Sequence, residues 1–215
     1  MRDLFELLEA QVPAGVWWPG NSRFEIALGA VLTQNTAWVN VETAISNLGE
    51  AGLLDPKRLL AADVETVKGL IRPAGYFNTK TGYLKNLTTW WINHDEQAQS
   101  LPTDVLRAEL LKVRGVGEET ADDLLLYVYE RPVFIYDLYA RRLLAAAGYG
   151  EHKTYQAAKR ALDPLVDQAG FTVSEAAKFH GLIVDAGKLA TRLGGWEQAY
   201  PLLASHGFAA ATSTL

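Results

Sequence analysis

Leu110-Leu111-Lys112-Val113-Arg114-Gly115-Val116-Gly117-Glu118-Glu119-Thr120-Ala121, followed by Phe134-Ile135-Tyr136-Asp137-Leu138-Tyr139-Ala140-Arg141-Arg142, decides the reading of this chain. A helical pattern runs into Gly-Val-Gly and resumes at once, which predicts two helices joined by a tight hairpin. Gly115 and Gly117 can both take left-handed backbone angles, letting the hairpin approach another molecule closely. The helix starting near Glu118 leaves backbone N–H groups unpaired at its tip, where a phosphate oxygen fits. Asp137 then stands alone where the next helix should begin.

Helical spacing continues outward in both directions. Asn21 or Ser22 caps a helix carrying Phe24, Ile26, Ala27, Ala30 and Val31, and Val39 to Leu48 forms the next. Asp55-Pro56 and Asp63 each open a short helix. Thr79 to Trp91 is longer, and Thr103-Asp104 caps the first hairpin helix. Glu118 to Tyr129, Leu138 to Ala147, Thr154 to Val166 and Ser174 to Val184 complete the pattern. No alternating stretch is long enough to build a sheet, so the residues by themselves predict an all-α fold.

The 215 residues are 49% hydrophobic, enough for a real core in one large domain or two small lobes. No apolar run can span a membrane. The amino terminus reads as an amphipathic helix start and not as a signal peptide, which makes the cytoplasm the default location. The chain has no cysteine, which excludes disulfides and any Cys-ligated iron–sulfur cluster. Its net charge of −5 argues against general coating by positive potential, while local phosphate contacts stay open to it. Arg141, Arg142, Lys153, Lys159, Arg160, Lys178, Lys188 and Arg192 are the candidates for one basic face. Nothing in the sequence calls for more than a monomer.

The hairpin and the Asp that follows it resemble the helix-hairpin-helix DNA glycosylases related to endonuclease III. The likeness runs from about Trp17 to Lys188. It implies two helical lobes with the active cleft between them: a central lobe over residues 21–130 and a second built from 1–20 plus 131–215. It implies that Gly115, Val116, Gly117, Glu119 and Thr120 grip the backbone of double-stranded DNA containing damaged bases, and that Asp137 is the catalytic carboxylate. Many of these relatives carry a four-cysteine cluster loop; here Gly187-Lys188-Leu189-Ala190 stands in its place. The tail must then be held by packing, through Trp196, Tyr200 and Phe208. The hairpin carbonyls around Lys112, Val113 and Gly115 would hold a monovalent cation with DNA bound. No other cofactor is implied.

Hydrolysing an N-glycosidic bond builds positive charge on the sugar, which a nearby carboxylate stabilises while water attacks. Asp137 suits that task, although an Asp at a helix start is equally good as a plain N-cap. Bifunctional relatives have a lysine two residues after the second hairpin glycine; Glu119 occupies that position and cannot form a Schiff base. The chain therefore reads as monofunctional. Glu118, Glu119, Asp122 and Asp123 crowd the same helix start and would repel a phosphate, leaving binding to backbone donors.

Trp17-Trp18-Pro19-Gly20 and Thr33-Gln34-Asn35-Thr36-Ala37-Trp38 resemble the type III 3-methyladenine DNA glycosylase branch. That likeness implies a base pocket from Trp17, Trp18, Pro19 and Trp38, closed by Lys188, which Asp185 could pair. It implies that Gln34, with Asn35 beside it, fills the gap left by a flipped base. An alkylated purine is cationic and is attracted to electron-rich rings, while a neutral purine stacks more weakly. Trp17 and Trp18 could equally be core. His180 reads as a core or lobe-bridging histidine, and Gly75 to Lys80 as a mostly structural turn in which Asn78 or Thr79 caps and Lys80 could meet a phosphate. The expected activity is release of alkylated purines such as 3-methyladenine. The rivals are a glycosylase with lyase activity on oxidised or mismatched bases, and a lesion-binding module without catalysis.

Overall fold

The computed structural model describes every residue except 14, 16, 17, 214 and 215. Among the described residues it is all-α, with thirteen α-helices, one 3-10 turn and no strand. No helix there is long and apolar enough to cross a membrane. The chain divides into two units, one of Trp18–Arg131 and one of Met1–Trp17 with Pro132–Leu215.

The first unit holds α2 (Arg23–Leu32), α3 (Trp38–Glu50), α4 (Pro56–Ala61), α5 (Val64–Leu70), the 3-10 turn Arg72–Ala74, α6 (Phe77–Ala98), α7 (Thr103–Leu111) and α8 (Glu118–Tyr127). Short polar side chains start several of these helices. Ser22 Oγ accepts from Glu25 N at 3.1 Å, and Asp55 and Asp63 do the same for Arg58 and Thr66. Helix α2 is the axis of the unit: Phe24, Ala27, Leu28, Ala30, Val31 and Leu32 are all buried. It packs against α3, α6 and α8. Helix α8 is equally buried from Thr120 to Leu126, so the hairpin's second arm is part of the core.

The second unit holds α1 (Arg2–Glu9), α9 (Leu138–Ala146), α10 (Tyr155–Ala169), α11 (Val173–Arg192), α12 (Trp196–Ala204) and α13 (Phe208–Thr212). Phe5, Phe134, Phe171 and Phe179 form its aromatic centre, with ring centroids 5.3–5.6 Å apart in edge-to-face and tilted pairs. A capping box at Thr172 and Glu175 starts α11. The tail closes by packing, as the absence of cysteine requires. Trp196 stacks on Phe208 at 6.3 Å, while Tyr200 is only half-buried. Gln11, unnoticed in the sequence, completes the closure: its amide donates to Leu203 O at 2.8 Å and accepts from Phe208 N at 3.1 Å.

Several sequence expectations need correction. Helix α6 extends from Phe77 to Ala98 and not from Thr79 to Trp91, and its N-cap is Tyr76 in a left-handed conformation. Lys80 does not face solvent. Its Nζ is buried and donates to Leu32 O and Ala74 O, each at 2.8 Å, so it closes the ends of α2 and the 3-10 turn. Burial lowers its pKa to about 8. Helix α11 continues two turns past Val184. Gly187 lies inside it, and its missing Cβ lets Tyr139 approach; a Cβ there would lie 2.4 Å from Tyr139 Cδ1.

Candidate functional site

Helices α7 and α8 form the hairpin through a turn closed by Val113 N to Leu110 O at 3.0 Å and Val116 N to Val113 O at 2.9 Å. Its glycines are not equivalent. Gly115 has φ +107° and lies against Tyr83, so that a Cβ would fall 2.3 Å from the ring. Gly117 has ordinary extended angles, φ −91° and ψ −176°, with open space around it, which corrects the expectation of two left-handed glycines. Val116 is buried beneath the turn, Glu119 is exposed on the first turn of α8, and Thr120 points into the fold. Ala121 N makes the first backbone bond of α8, to Gly117 O, so the helix start directs the N–H groups of its first turn toward the end of the hairpin.

Two of the four acids at the start of α8 share one cation from a place the sequence did not reveal. Arg107 on α7 donates through Nε to Asp122 Oδ1 at 2.6 Å and through Nη2 to Asp122 Oδ2 at 3.1 Å, and it also pairs with Glu118. Asp122 is 0% exposed. Burial opposes the charge on Arg107, but Asp122 and Glu118 outweigh it and raise its pKa. Repulsion of a phosphate at the hairpin is therefore weaker than the formal charges suggest.

Gln34 reaches the same hairpin. Its Nε2 donates to Gly115 O at 2.9 Å and to Thr120 Oγ1 at 3.0 Å, so the turn after α2 is braced against the glycine loop. Asn35 follows it with φ +53° and an exposed side chain, the tip of that turn. Beyond the turn Trp38 opens α3. Its ring lies 5.4 Å from Trp18, which stacks on Tyr127 at 4.9 Å and 15°. Trp18, Pro19 and Trp38 line one cavity of about 530 Å³. Trp17 lies outside the described residues. Tyr127 is a member of this stack that the sequence reading did not single out.

In the other unit Asp137 is the N-cap of α9, its Oδ1 accepting from Ala140 N at 2.7 Å. Oδ2 is 3.9 Å from His180 Nε2 on α11, and Asp137 is 9% exposed. His180 is thus set against the carboxylate rather than only among apolar residues. Arg141 is spent on the backbone, donating to Tyr136 O at 3.2 Å and Lys153 O at 2.8 Å. Other members of the expected basic face are also paired: Lys159 with Asp163, and Lys178 with Glu9. Lys188 is exposed within α11, not at its end, and pairs with Asp185 at 3.3 Å.

No group of three or more metal-ligating side chains occurs among the described residues. An iron–sulfur cluster of the cysteine-ligated kind does not fit this chain, which has no cysteine, and its place after α11 is filled by α12 and α13 packed on Gln11. Of the hairpin carbonyls, Val113 O and Gly115 O each accept one hydrogen bond already.

A family model described as HhH-GPD superfamily base excision DNA repair protein matches residues 28–168. A Methanocaldococcus jannaschii protein assigned as a DNA repair glycosylase is 45% identical over 137 residues, 61% of this chain and 62% of that one. Endonuclease III of Sulfolobus acidocaldarius is 32% identical over 127 residues, 59% of this chain and 56% of that one. The chain thus spans about three-fifths of the length of these two relatives. Among solved structures, the H. pylori 3-methyladenine DNA glycosylase bound to 1,N6-ethenoadenine superposes with a TM-score of 0.71 at 26% identity, covering 87% of this chain and 95% of that one. An endonuclease III–DNA complex superposes with the same TM-score of 0.71 at 20% identity, covering 87% and 84%, a likeness of fold.

Proposed function

The chain belongs to the HhH-GPD superfamily of base excision DNA repair proteins, and we propose that it is a monofunctional DNA glycosylase that releases alkylated purines, 3-methyladenine first among them. The observation that carries this reading is the cavity bounded by Trp18 and Trp38. Two indole rings within 5.4 Å of each other offer electron-rich surface to a flat, cationic base. The likeness to the H. pylori 3-methyladenine DNA glycosylase supports the same substrate class.

In this reading the hairpin N–H groups from Gly117 to Thr120 hold a phosphate of double-stranded DNA, with Gly115, Val116 and Glu119 shaping the loop. A monovalent cation would use the second lone pairs of the Val113 and Gly115 carbonyls. The Gln34–Asn35 turn meets the gap left by the flipped base. Asn35 is the side chain it presents first, and Gln34 fills the gap only by exchanging its two bonds to the hairpin. Trp18, Pro19 and Trp38 hold the extruded ring.

Asp137 supplies the chemistry. The cationic base departs with the electron pair of the glycosidic bond and becomes neutral, so no general acid is required. The deoxyribose left behind carries positive charge, which the carboxylate stabilises until water adds to the sugar carbon and gives up a proton. Oδ1 is committed to the cap of α9, which fixes the side chain; Oδ2 is the oxygen that serves the sugar. With Glu119 at the place of the bifunctional lysine, strand cleavage is not expected. Lys112 is no substitute, being solvated and paired with Glu109 at 2.7 Å.

Incubation with methylated duplex DNA tests the reading. Free 3-methyladenine should appear, with an intact abasic strand and no borohydride-trapped adduct. A trapped adduct would show a lyase, and tight binding to abasic-site DNA without release of any base would show a non-catalytic module.

A further inference from the structure

The cavity beside Trp18 and Trp38 is bordered by charge of one sign. Among the described residues its lining contains two carboxylates, Glu25 and Glu42, and no lysine, arginine or histidine. Helical spacing explains the grouping. Trp38 and Glu42 are four residues apart on α3, and Glu25 and Gly29 four apart on α2, so each pair shares one face turned to the cavity. Gly29 keeps the floor low: a Cβ there would already touch Trp38 at 3.7 Å and Trp18 at 4.0 Å. Glu25 is half-buried and held by Asn21 N, at 3.1 Å from Oε2. Glu42 is exposed on α3, and no hydrogen bond or ion pair engages it among the described residues.

Aromatic faces with carboxylates and no basic group make poor surroundings for a phosphate or any other anion, and a DNA backbone would be repelled from them. They suit a flat cation, which gains from the ring quadrupoles and again from the carboxylates. A neutral purine of the same shape gains from stacking alone. We propose that Glu25 and Glu42 determine specificity, making this cavity discriminate by charge and take an N-alkylated, cationic purine in preference to its uncharged parent. The inference deepens the glycosylase reading, resting on the cavity being the place that receives the base. It assigns selectivity to side chains outside the aromatic surface, the hairpin and Asp137.

The test is a binding titration followed by tryptophan fluorescence, with 1-methyladenosine, cationic at neutral pH, against adenosine. Wild type should bind the cation about tenfold more tightly. Glu42→Gln should cut cation affinity by about fivefold and leave adenosine binding unchanged, which also reports that the cavity is intact. Glu25→Gln combined with Glu42→Gln should erase the preference, and added salt should weaken it in wild type. Equal binding of both nucleosides by wild type, or a preference that survives in the double variant, overturns the proposal. The outcome separates from that of the glycosylase reading. A cation preference without base release from methylated DNA would keep the charge filter and remove the enzyme, whereas base release without any preference would do the reverse.

Discussion

Replacing Gly115 by alanine should be among the most damaging small changes in the molecule, and the same change at Gly117 should be almost silent. At φ +107° an L-residue is strained, at a cost of about 1–2 kcal/mol. The new Cβ would also lie 2.3 Å from Tyr83 Cγ and 2.6 Å from Tyr83 Cβ. The second contact matters more, because no rotamer of Tyr83 moves its own Cβ; α6 and the hairpin must separate. Overpacking of that kind costs about 1–3 kcal/mol. Together the two terms give about 3 kcal/mol, which lowers Tm by about 6–12 °C for a chain of this size. Gly117→Ala meets nothing within 4 Å and has a φ of −91°, so its change should stay within about 0.5 kcal/mol. Urea unfolding of the three proteins, followed by circular dichroism, measures both values. Equal losses at the two glycines, or a Gly115→Ala protein as stable as wild type, would refute the account of the hairpin.

Arg107→Met should cost about 3–5 kcal/mol, because it removes the cation paired with the fully buried Asp122 carboxylate; adding Asp122→Asn should recover part of the loss in the same unfolding assay. Gln34→Ala removes both hydrogen bonds to the hairpin and should cost about 1–2 kcal/mol, with faster amide exchange around Gly115 and Thr120. Lys80 has a folded-state pKa of about 8 against 10.5 unfolded, so the unfolded chain binds the extra proton between those values. Stability from this group should therefore rise with pH across that window. The difference between wild type and Lys80→Met in urea midpoints at the two ends should report the slope.

The parts of the site that were legible in the sequence are those written locally. Gly-Val-Gly between two helical periods marks the hairpin, and Ser22, Asp55 and Asp63 announce their helices because a cap bonds only three residues ahead. Asp137 shows how far such reading goes. The sequence offered a cap or a reactive carboxylate, and the side chain is a cap through one oxygen while the other faces His180. What stayed hidden depends on partners distant along the chain. Gln34 finds Gly115 and Thr120 across 81 and 86 residues, and Lys80 finds Leu32 across 48. Gln11 finds Leu203 across 192. Each is a polar side chain closing backbone or hydroxyl groups from another element, and no periodicity encodes that. The end of α11 was hidden as well: the sequence pattern stops at Val184, while the helix runs on through Gly187, where Tyr139 of α9 fills the space a Cβ would take.

Single-turnover release of 3-methyladenine by wild type and by Asp137→Asn is the most direct measurement. Asparagine can still accept from Ala140 N and keep the cap of α9, so the variant should fold and bind methylated DNA as wild type does. The account predicts a rate at least about a thousandfold lower, because a neutral amide cannot balance the charge on the sugar. Base release at the wild-type rate from that variant would contradict the assignment of Asp137 and the reaction built on it.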